Sequence, residues 1–194
     1  MRSHVNTGLC QAMRITIVNR QKRVFVDMRR LRILTRCLME RTLRFGHAPV
    51  RRWGEVSIVL TDNLDIRAMN HNQLGRNEVT DVLSFRYDAL PGEALAAAEI
   101  IVNVERAVAI GSSMAERDQR KMSASGGSQT AGYWSPSREL ALYVAHGCDH
   151  LSGEDDGDCV SRTRMRRREL RWLRSARVEG LILTRADGQV SGKP

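Results

Sequence analysis

Residues 146 to 156 run His146-Gly147-Cys148-Asp149-His150-Leu151-Ser152-Gly153-Glu154-Asp155-Asp156, the densest concentration of potential metal ligands in the chain. Two histidines at this spacing on a helix lie one turn apart on the same face, so their imidazoles can converge on one ion. A third ligand must come from elsewhere. Gly153 can adopt the left-handed conformation that ends a helix, which reverses the chain and offers a carboxylate of Glu154, Asp155 or Asp156 to the two rings. Three protein ligands leave one position of a Zn²⁺ site open to water, and the ion lowers the pKa of that water toward neutrality, making a hydroxide nucleophile available. A histidine pair on an apolar helix is often merely structural. Here the acidic run after a helix-ending glycine, and the apolar Leu140, Leu142, Tyr143 and Val144 that seat the pair beside a core, favour the metal.

With 194 residues and 42% hydrophobic content, the chain can bury one core without help from disulfides. No apolar run reaches the roughly eighteen residues needed to span a bilayer, and the first residues lack a secretory signal, so a cytoplasmic protein with no membrane partner is expected. Cys10, Cys37, Cys148 and Cys159 form no C-x-x-C pair, which argues against a disulfide framework and a zinc ribbon. Cys148 and Cys159 flank the histidine cluster and are either soft ligands or apolar fillers. The formal charge is +9, and Arg162, Arg164, Arg166, Arg167, Arg168, Arg171, Arg174 and Arg177 crowd one segment. Such density suits a polyanionic partner, or else a solvated helix face.

The elements that must position this cluster alternate. Arg14 to Asn19 reads as a strand, after which Asp27 caps a helix carrying Leu31, Leu34 and Leu38. Glu55 to Leu60 is the next strand, followed by a helix capped by Asp62 and running toward Gln73. Asp81 to Phe85 and Glu99 to Val102 are strands joined through Pro91-Gly92, close enough to pair as antiparallel neighbours. A helix starts near Val104, and the polar stretch Arg117 to Trp134 reads as a mobile loop. Ser135 as cap and Pro136 at the first helical position open the helix that carries both histidines, and an arginine-rich helix spans Val160 to Arg177. The pattern predicts a single α/β (α+β) domain, a central mostly four-stranded mixed sheet with helices packed against it. Residues 1–12 are expected to be a disordered extension, residues 13–177 the domain, and 178–194 a tail disordered beyond Asp187.

Three segments carry a resemblance to a known family. Thr80-Asp81-Val82-Leu83-Ser84-Phe85, preceded by Met69-Asn70 and Arg76-Asn77, resembles the block L-N-x-x-[YF]-[RL]-x-[KH]-D-x-P-T-D-V-L-S-F. The histidine segment resembles the signature H-G-x-L-H-L-x-G-Y-D-[HD], and Ile15 to Gln21 looks like the family's first strand. From Met13 to Arg177, in the expected order, the chain resembles the YbeY-type rRNA maturation factors, single-domain metal-dependent endoribonucleases. The resemblance implies Zn²⁺ held by His146, His150 and Asp156. Asp156 falls where many members have a third histidine; its charge makes the bound water a weaker acid, and another divalent metal such as Fe²⁺ or Mn²⁺ also suits two histidines and a carboxylate. Further departures are Asp149 in place of leucine, Glu154 in place of an aromatic residue, Val79 in place of proline, and Leu74 where many members have arginine. Asp149 is either a partner that orients an imidazole or a carboxylate on the helix's outer side, the latter favoured.

The expectation is a metal-dependent endoribonuclease of single-strand type. It would act in rRNA maturation, at the 3′ end of 16S rRNA, and in ribosome quality control, with an rRNA precursor and the small ribosomal subunit or a ribosomal protein as partners. Arg76 and Asp155 are its candidate catalytic residues, for phosphoryl charge and for protons respectively; Ser84, Asp81, Arg162 and Arg166 are candidates for binding substrate. Leu83 and Phe85 should pack inward, since strand neighbours alternate faces. The alternative is a non-catalytic RNA-binding ribosome-assembly factor with a structural metal. A zinc peptidase ranks below both, because Gly147 stands where H-E-x-x-H requires its general base.

Overall fold

The structure, a computed structural model, describes residues 13–45, 50, 52–89, 95–125 and 134–183. Its elements are β1 (Arg14–Asn19), β2 (Phe25–Val26), α1 (Met28–Phe45), β3 (Trp53–Thr61), α2 (Asn63–Leu74), β4 (Val82–Tyr87), β5 (Ala96–Asn103), α3 (Val104–Ser125), α4 (Pro136–Leu151), α5 (Cys159–Arg174) and β6 (Ile182–Leu183). Four strands form one mixed sheet in the order β1-β3-β5-β4, parallel except that β4 runs antiparallel to β5. This is the α/β architecture read from the sequence.

Alternation along the strands sorts apolar side chains to two unequal faces. Val56, Ile58, Leu60, Ile100, Val102 and Val82 face the main core with α1 and α4. Val59, Ile101 and Leu83 face the other way, under Ile66 of α2, with Phe85 packed against them. The helix starts follow their side-chain caps. Asp27 accepts from the Arg30 amide at 3.0 Å, Asp62 from Leu64 and Asp65, and Ser135 from Arg138, with Pro136 at the first position where no amide hydrogen is needed. No helix among the described residues is long and apolar enough to cross a membrane.

Two segments depart from expectation. Helix α3 continues through Ser125, so Arg117 to Ser125, taken for part of a loop on its polarity and the Ser/Gly run from Ser123, is helical; the first glycine of that stretch comes only at Gly126. Trp134, at the far end of that supposed loop, is half-buried. The tail does not begin at Val178 either. Val178, Leu181 and Ile182 are buried in the main core, and β6 pairs antiparallel with β2 in a second, two-stranded sheet that the sequence reading did not foresee. A two-residue strand carries too little alternation to be recognised. Residues 1–12 and 184–194 lie outside the described residues.

Helix α4 lies on the sheet with almost its whole circumference covered: Leu140, Leu142, Val144, Ala145 and Cys148 are all essentially inaccessible. Burying each of the larger apolar side chains contributes about 1.5–3 kcal/mol, so this helix is firmly seated. It comes close to the sheet at Gly147, where an added Cβ would lie 2.7 Å from Ile100 Cγ2 and 3.0 Å from Val82 Cγ2. We therefore expect Gly147→Ala to lower the urea midpoint by the equivalent of about 1–3 kcal/mol through overpacking. Because Gly147 adjoins His146 and lies three residues before His150, the same variant should also bind metal more weakly in a chelator-competition titration.

Candidate metal centre

The last turn of α4 delivers two imidazoles, and the turn after it delivers a carboxylate. Gly153 adopts φ 92°, the left-handed conformation open to glycine, and the chain doubles back so that the Gly153 amide donates to the His150 carbonyl at 2.9 Å. Three residues on, Asp156 faces the histidines. His146 Nε2 lies 3.2 Å from His150 Nε2 and 3.6 Å from Asp156 Oδ2, and His150 Nε2 lies 4.0 Å from Asp156 Oδ1. One potential ligand atom from each of the three residues falls within 4.8 Å of the others.

The tautomers follow from the partners. His146 Nδ1 sits 2.7 Å from Glu169 Oε1, and His150 Nδ1 sits 3.0 Å from the Glu154 carbonyl oxygen. A carboxylate and a carbonyl only accept, so each Nδ1 donates. In the neutral rings both Nε2 atoms then carry lone pairs, and these face each other and the Asp156 carboxylate. Three acceptors aimed at one point suit a cation. Tetrahedral Zn²⁺ with bonds of about 2.05 Å separates its ligands by about 3.3 Å, a spacing the two Nε2 atoms match and the Asp156 oxygens, at 3.6 and 4.0 Å from them, exceed by less than 1 Å, so the donor set fits a metal ion. Burial disfavours charge on His146, but the Glu169 hydrogen bond and the carboxylates of Glu169, Asp81 and Asp156 outweigh it and raise the imidazolium pKa. Positive charge is favoured at this point.

A cavity of about 310 Å³ opens beside the cluster, lined by Asp81, Leu142, Tyr143, His146, Asp156, Arg162, Arg166 and Glu169. Asp81 is held at the start of β4 by accepting from the Val82 amide at 3.0 Å and from the Thr80 hydroxyl at 3.1 Å. Behind it the buried Asn103 donates its backbone amide to the Asp81 carbonyl and its side-chain amide to the Thr80 carbonyl. Arg162 Nη2 donates to the Asp156 carbonyl at 3.2 Å, tying α5 to the ligand turn. Tyr143 is 4% exposed; burial, with Glu139 and Asp81 nearby, pushes its hydroxyl pKa upward, so it stays a neutral donor. A larger groove of about 510 Å³ runs along the outer side of α5, past Val160, Arg164, Arg167 and Arg171, and contains no imidazole or carboxylate.

Of the residues singled out from the sequence, His146, His150 and Asp156 are brought together, and Asp81, Arg162 and Arg166 join them at the cavity. Ser84, half-buried on β4, and the exposed Arg76 and Asp155 do not line it. Asp149 requires a correction. It is wholly buried rather than on the outer side of the helix, because Arg168 of α5 meets it: Nε donates to Oδ2 at 3.0 Å and Nη2 lies 2.7 Å from Oδ1. The same guanidinium donates Nη1 to Glu154 Oε1 at 3.0 Å, so one arginine clamps an acid from α4 to an acid from the ligand turn. Burial pushes Asp149 up to about 6 against the opposing pull of Arg168, leaving it ionised at neutral pH. Cys148 is buried against Met39, its thiol pKa raised by that burial, and Cys159 is exposed; neither is in the ligand cluster.

Sequence reasoning missed Glu169 and Tyr143. Helical spacing could have found the first, since Glu169 follows Arg162 and Arg166 on the same face of α5 at intervals of four and three residues.

Comparison with known proteins adds independent findings. The family model described as Endoribonuclease YbeY matches residues 16–177. The Endoribonuclease YbeY of Anaeromyxobacter sp. (strain Fw109-5) is 31% identical over 151 residues, which is 78% of this chain and 68% of that protein. That of Syntrophomonas wolfei is 32% identical over 135 residues, covering 64% and 74% of the two chains. That of Alkaliphilus metalliredigens is 27% identical over 160 residues, covering 80% and 90%. Among solved structures, the solution structure of TM1509 from Thermotoga maritima is similar at 20% identity with a TM-score of 0.42, over 82% of this chain and 88% of that one.

Glu169 is 2% exposed and touches the ring of His146 from behind. Replacing it with the isosteric glutamine removes the charge that makes the imidazole a strong donor to metal. Glu169→Gln should weaken zinc binding about 10- to 100-fold in competition with a chromophoric chelator, while circular dichroism stays that of the wild type.

Proposed function

This chain belongs to the endoribonuclease YbeY family, and we propose that it hydrolyses phosphodiester bonds of single-stranded rRNA precursors, using one zinc ion held by His146, His150 and Asp156. The observation that carries the reading is the convergence of those three residues beside a cavity that His146 and Asp156 line together with two arginines. Zinc bound there would supply a water ionised near neutral pH and a Lewis acid for a phosphoryl oxygen.

The protein's own groups do the rest. Glu169 and the Glu154 carbonyl hold the two rings in one tautomer and one orientation. Arg162 fixes the turn that carries Asp156, and Arg166 and Arg162 face the position where phosphoryl charge develops. They take the role that sequence alone gave to Arg76. Asp81, at the cavity wall, is better placed than Asp155 to accept a proton or a 2′-hydroxyl hydrogen bond. The three carboxylates of the lining outnumber the two guanidiniums by one; a divalent cation turns that single negative charge into a single positive one. Binding of the strand in the cavity is therefore tied to occupancy by metal.

Family membership supports rRNA maturation as the setting; the 3′ end of 16S rRNA and ribosome quality control as tasks, and the cytoplasm as the place, are parts of the proposal carried from the sequence resemblance. Asp156 in the third ligand position favours keeping a second reading, an RNA-binding assembly factor whose metal is structural. The two differ in one experiment. His150→Ala should lose the stoichiometric metal seen by elemental analysis, and cleavage of single-stranded RNA should fall about a thousandfold or more, with folding retained. A chelator should silence the wild type and added zinc restore it. Undiminished cleavage by His150→Ala would overturn the nuclease mechanism, and RNA binding without any cleavage in the zinc-loaded wild type would select the second reading.

A further inference from the structure

The arginines lining the metal cavity are held in different ways. Arg162 is tied to the Asp156 backbone. Arg166, the other one, has no carboxylate of the described residues within ion-pairing distance, although Asp156 and Glu169 line the same cavity. Its contact is aromatic: the guanidinium carbon lies 5.5 Å from the centroid of the Trp134 ring. A guanidinium held by an aromatic ring rather than by a carboxylate keeps N–H donors that are not spent on an acid, and such donors can fork onto a phosphate.

Trp134 is itself fixed from several directions. Its backbone amide donates to Asp118 Oδ2 on α3 at 3.3 Å, and its indole Nε1 donates to Glu139 of α4. Glu139 is 4% exposed and lies beside Tyr143, whose side chain lines the cavity. Arg138 also packs on the ring, 5.0 Å from its centroid. A tryptophan tied by its backbone to α3 and by its indole to α4, with its ring bearing on Arg166 of α5, is a support rather than a loosely exposed side chain.

We propose that Trp134 is a positioning residue that holds the Arg166 guanidinium over the metal cavity as a clamp for an RNA phosphate. The inference rests on the RNA-cleaving function proposed above and assigns to it a residue outside the ligand cluster. Trp134 touches no reacting atom; it acts through Arg166.

The test measures binding of a 2′-O-methylated, non-cleavable oligonucleotide to the zinc-loaded full chain by fluorescence anisotropy, over a range of salt. Arg166→Gln should weaken binding and reduce the slope of log affinity against log salt by about 0.7, the release expected for one single-strand phosphate contact. Trp134→Leu should weaken binding roughly three- to tenfold, the range of a cation–π contact. In the Arg166→Gln background the same substitution should change binding less than twofold, because its effect travels through Arg166. Trp134→Phe, which keeps a ring, should recover most of the loss. Zinc affinity of all variants should match the wild type. Additive effects of the two substitutions, no effect of Trp134→Leu, or a parallel loss of zinc affinity would each overturn the assignment. A wild type that fails to bind the oligonucleotide at all would instead refute the nuclease reading, and this inference with it.

Discussion

Two imidazole lone pairs face each other across 3.2 Å, and both rings are prevented from turning away. Each has its other nitrogen committed, one to the Glu169 carboxylate and one to the Glu154 carbonyl, so neither can present a proton to its neighbour while remaining neutral. Without a cation the arrangement is repulsive, and the Asp156 carboxylate makes it more so. A fold that keeps these atoms together must hold them from outside. The burial of α4, the glycine at its contact with the sheet and the left-handed turn at Gly153 all serve that one geometric demand.

Arg168 shows how the demand is met away from the ion. Between Asp149 and Glu154 it links the helix that carries the imidazoles to the turn that carries the third acid, and Arg164 adds a contact to Glu154 from the solvent side at 3.2 Å. Bringing such charges out of water is costly, and replacing a whole buried ionic cluster with apolar residues is often neutral or stabilising. What the cluster provides here is direction: Glu154 can place its carbonyl on His150 because its side chain is held on the far side of the turn. Taking away Arg168 alone would leave the buried Asp149 without its ion-pair partner, which is the costly way to break such a group, at about 3–5 kcal/mol.

The histidine pair and an acidic run after a helix-ending glycine were legible from local spacing, which left Glu154, Asp155 and Asp156 equally open; the choice of Asp156 came from the family resemblance. The strands were legible from their alternation, and the helix starts from Asp27, Asp62 and Ser135. What sequence could not show is which of several similar residues the tertiary fold selects. Asp149 and Asp155 are both acids of the same segment, yet one is wholly buried under an arginine and the other is exposed. Likewise the C-terminal part of α3, from Arg117 to Ser125, was hidden by a polar composition that suits a helix as well as a loop, and β2 and β6 exist only because each finds the other across the chain. Glu169 lay behind the ligands, where local spacing around the histidines does not reach.

The arginine-rich helix illustrates why net charge is a coarse guide to a partner. Eight arginines between Arg162 and Arg177 read as one polyanion-binding block, but the fold divides them by role. Arg168 is spent on buried acids, Arg164 partly so, and Arg162 on the ligand turn. Arg166 bears on an aromatic ring at the cavity, while Arg167 and Arg171 line the groove on the opposite side of the helix. Only guanidiniums with unengaged edges can release counterions when a phosphate arrives, so the charge effective in binding is smaller than the +9 of composition and is unevenly placed. Since the cavity's own carboxylates outnumber its arginines, under the proposed function the attraction that draws a strand toward this site would come from a bound cation as much as from the protein.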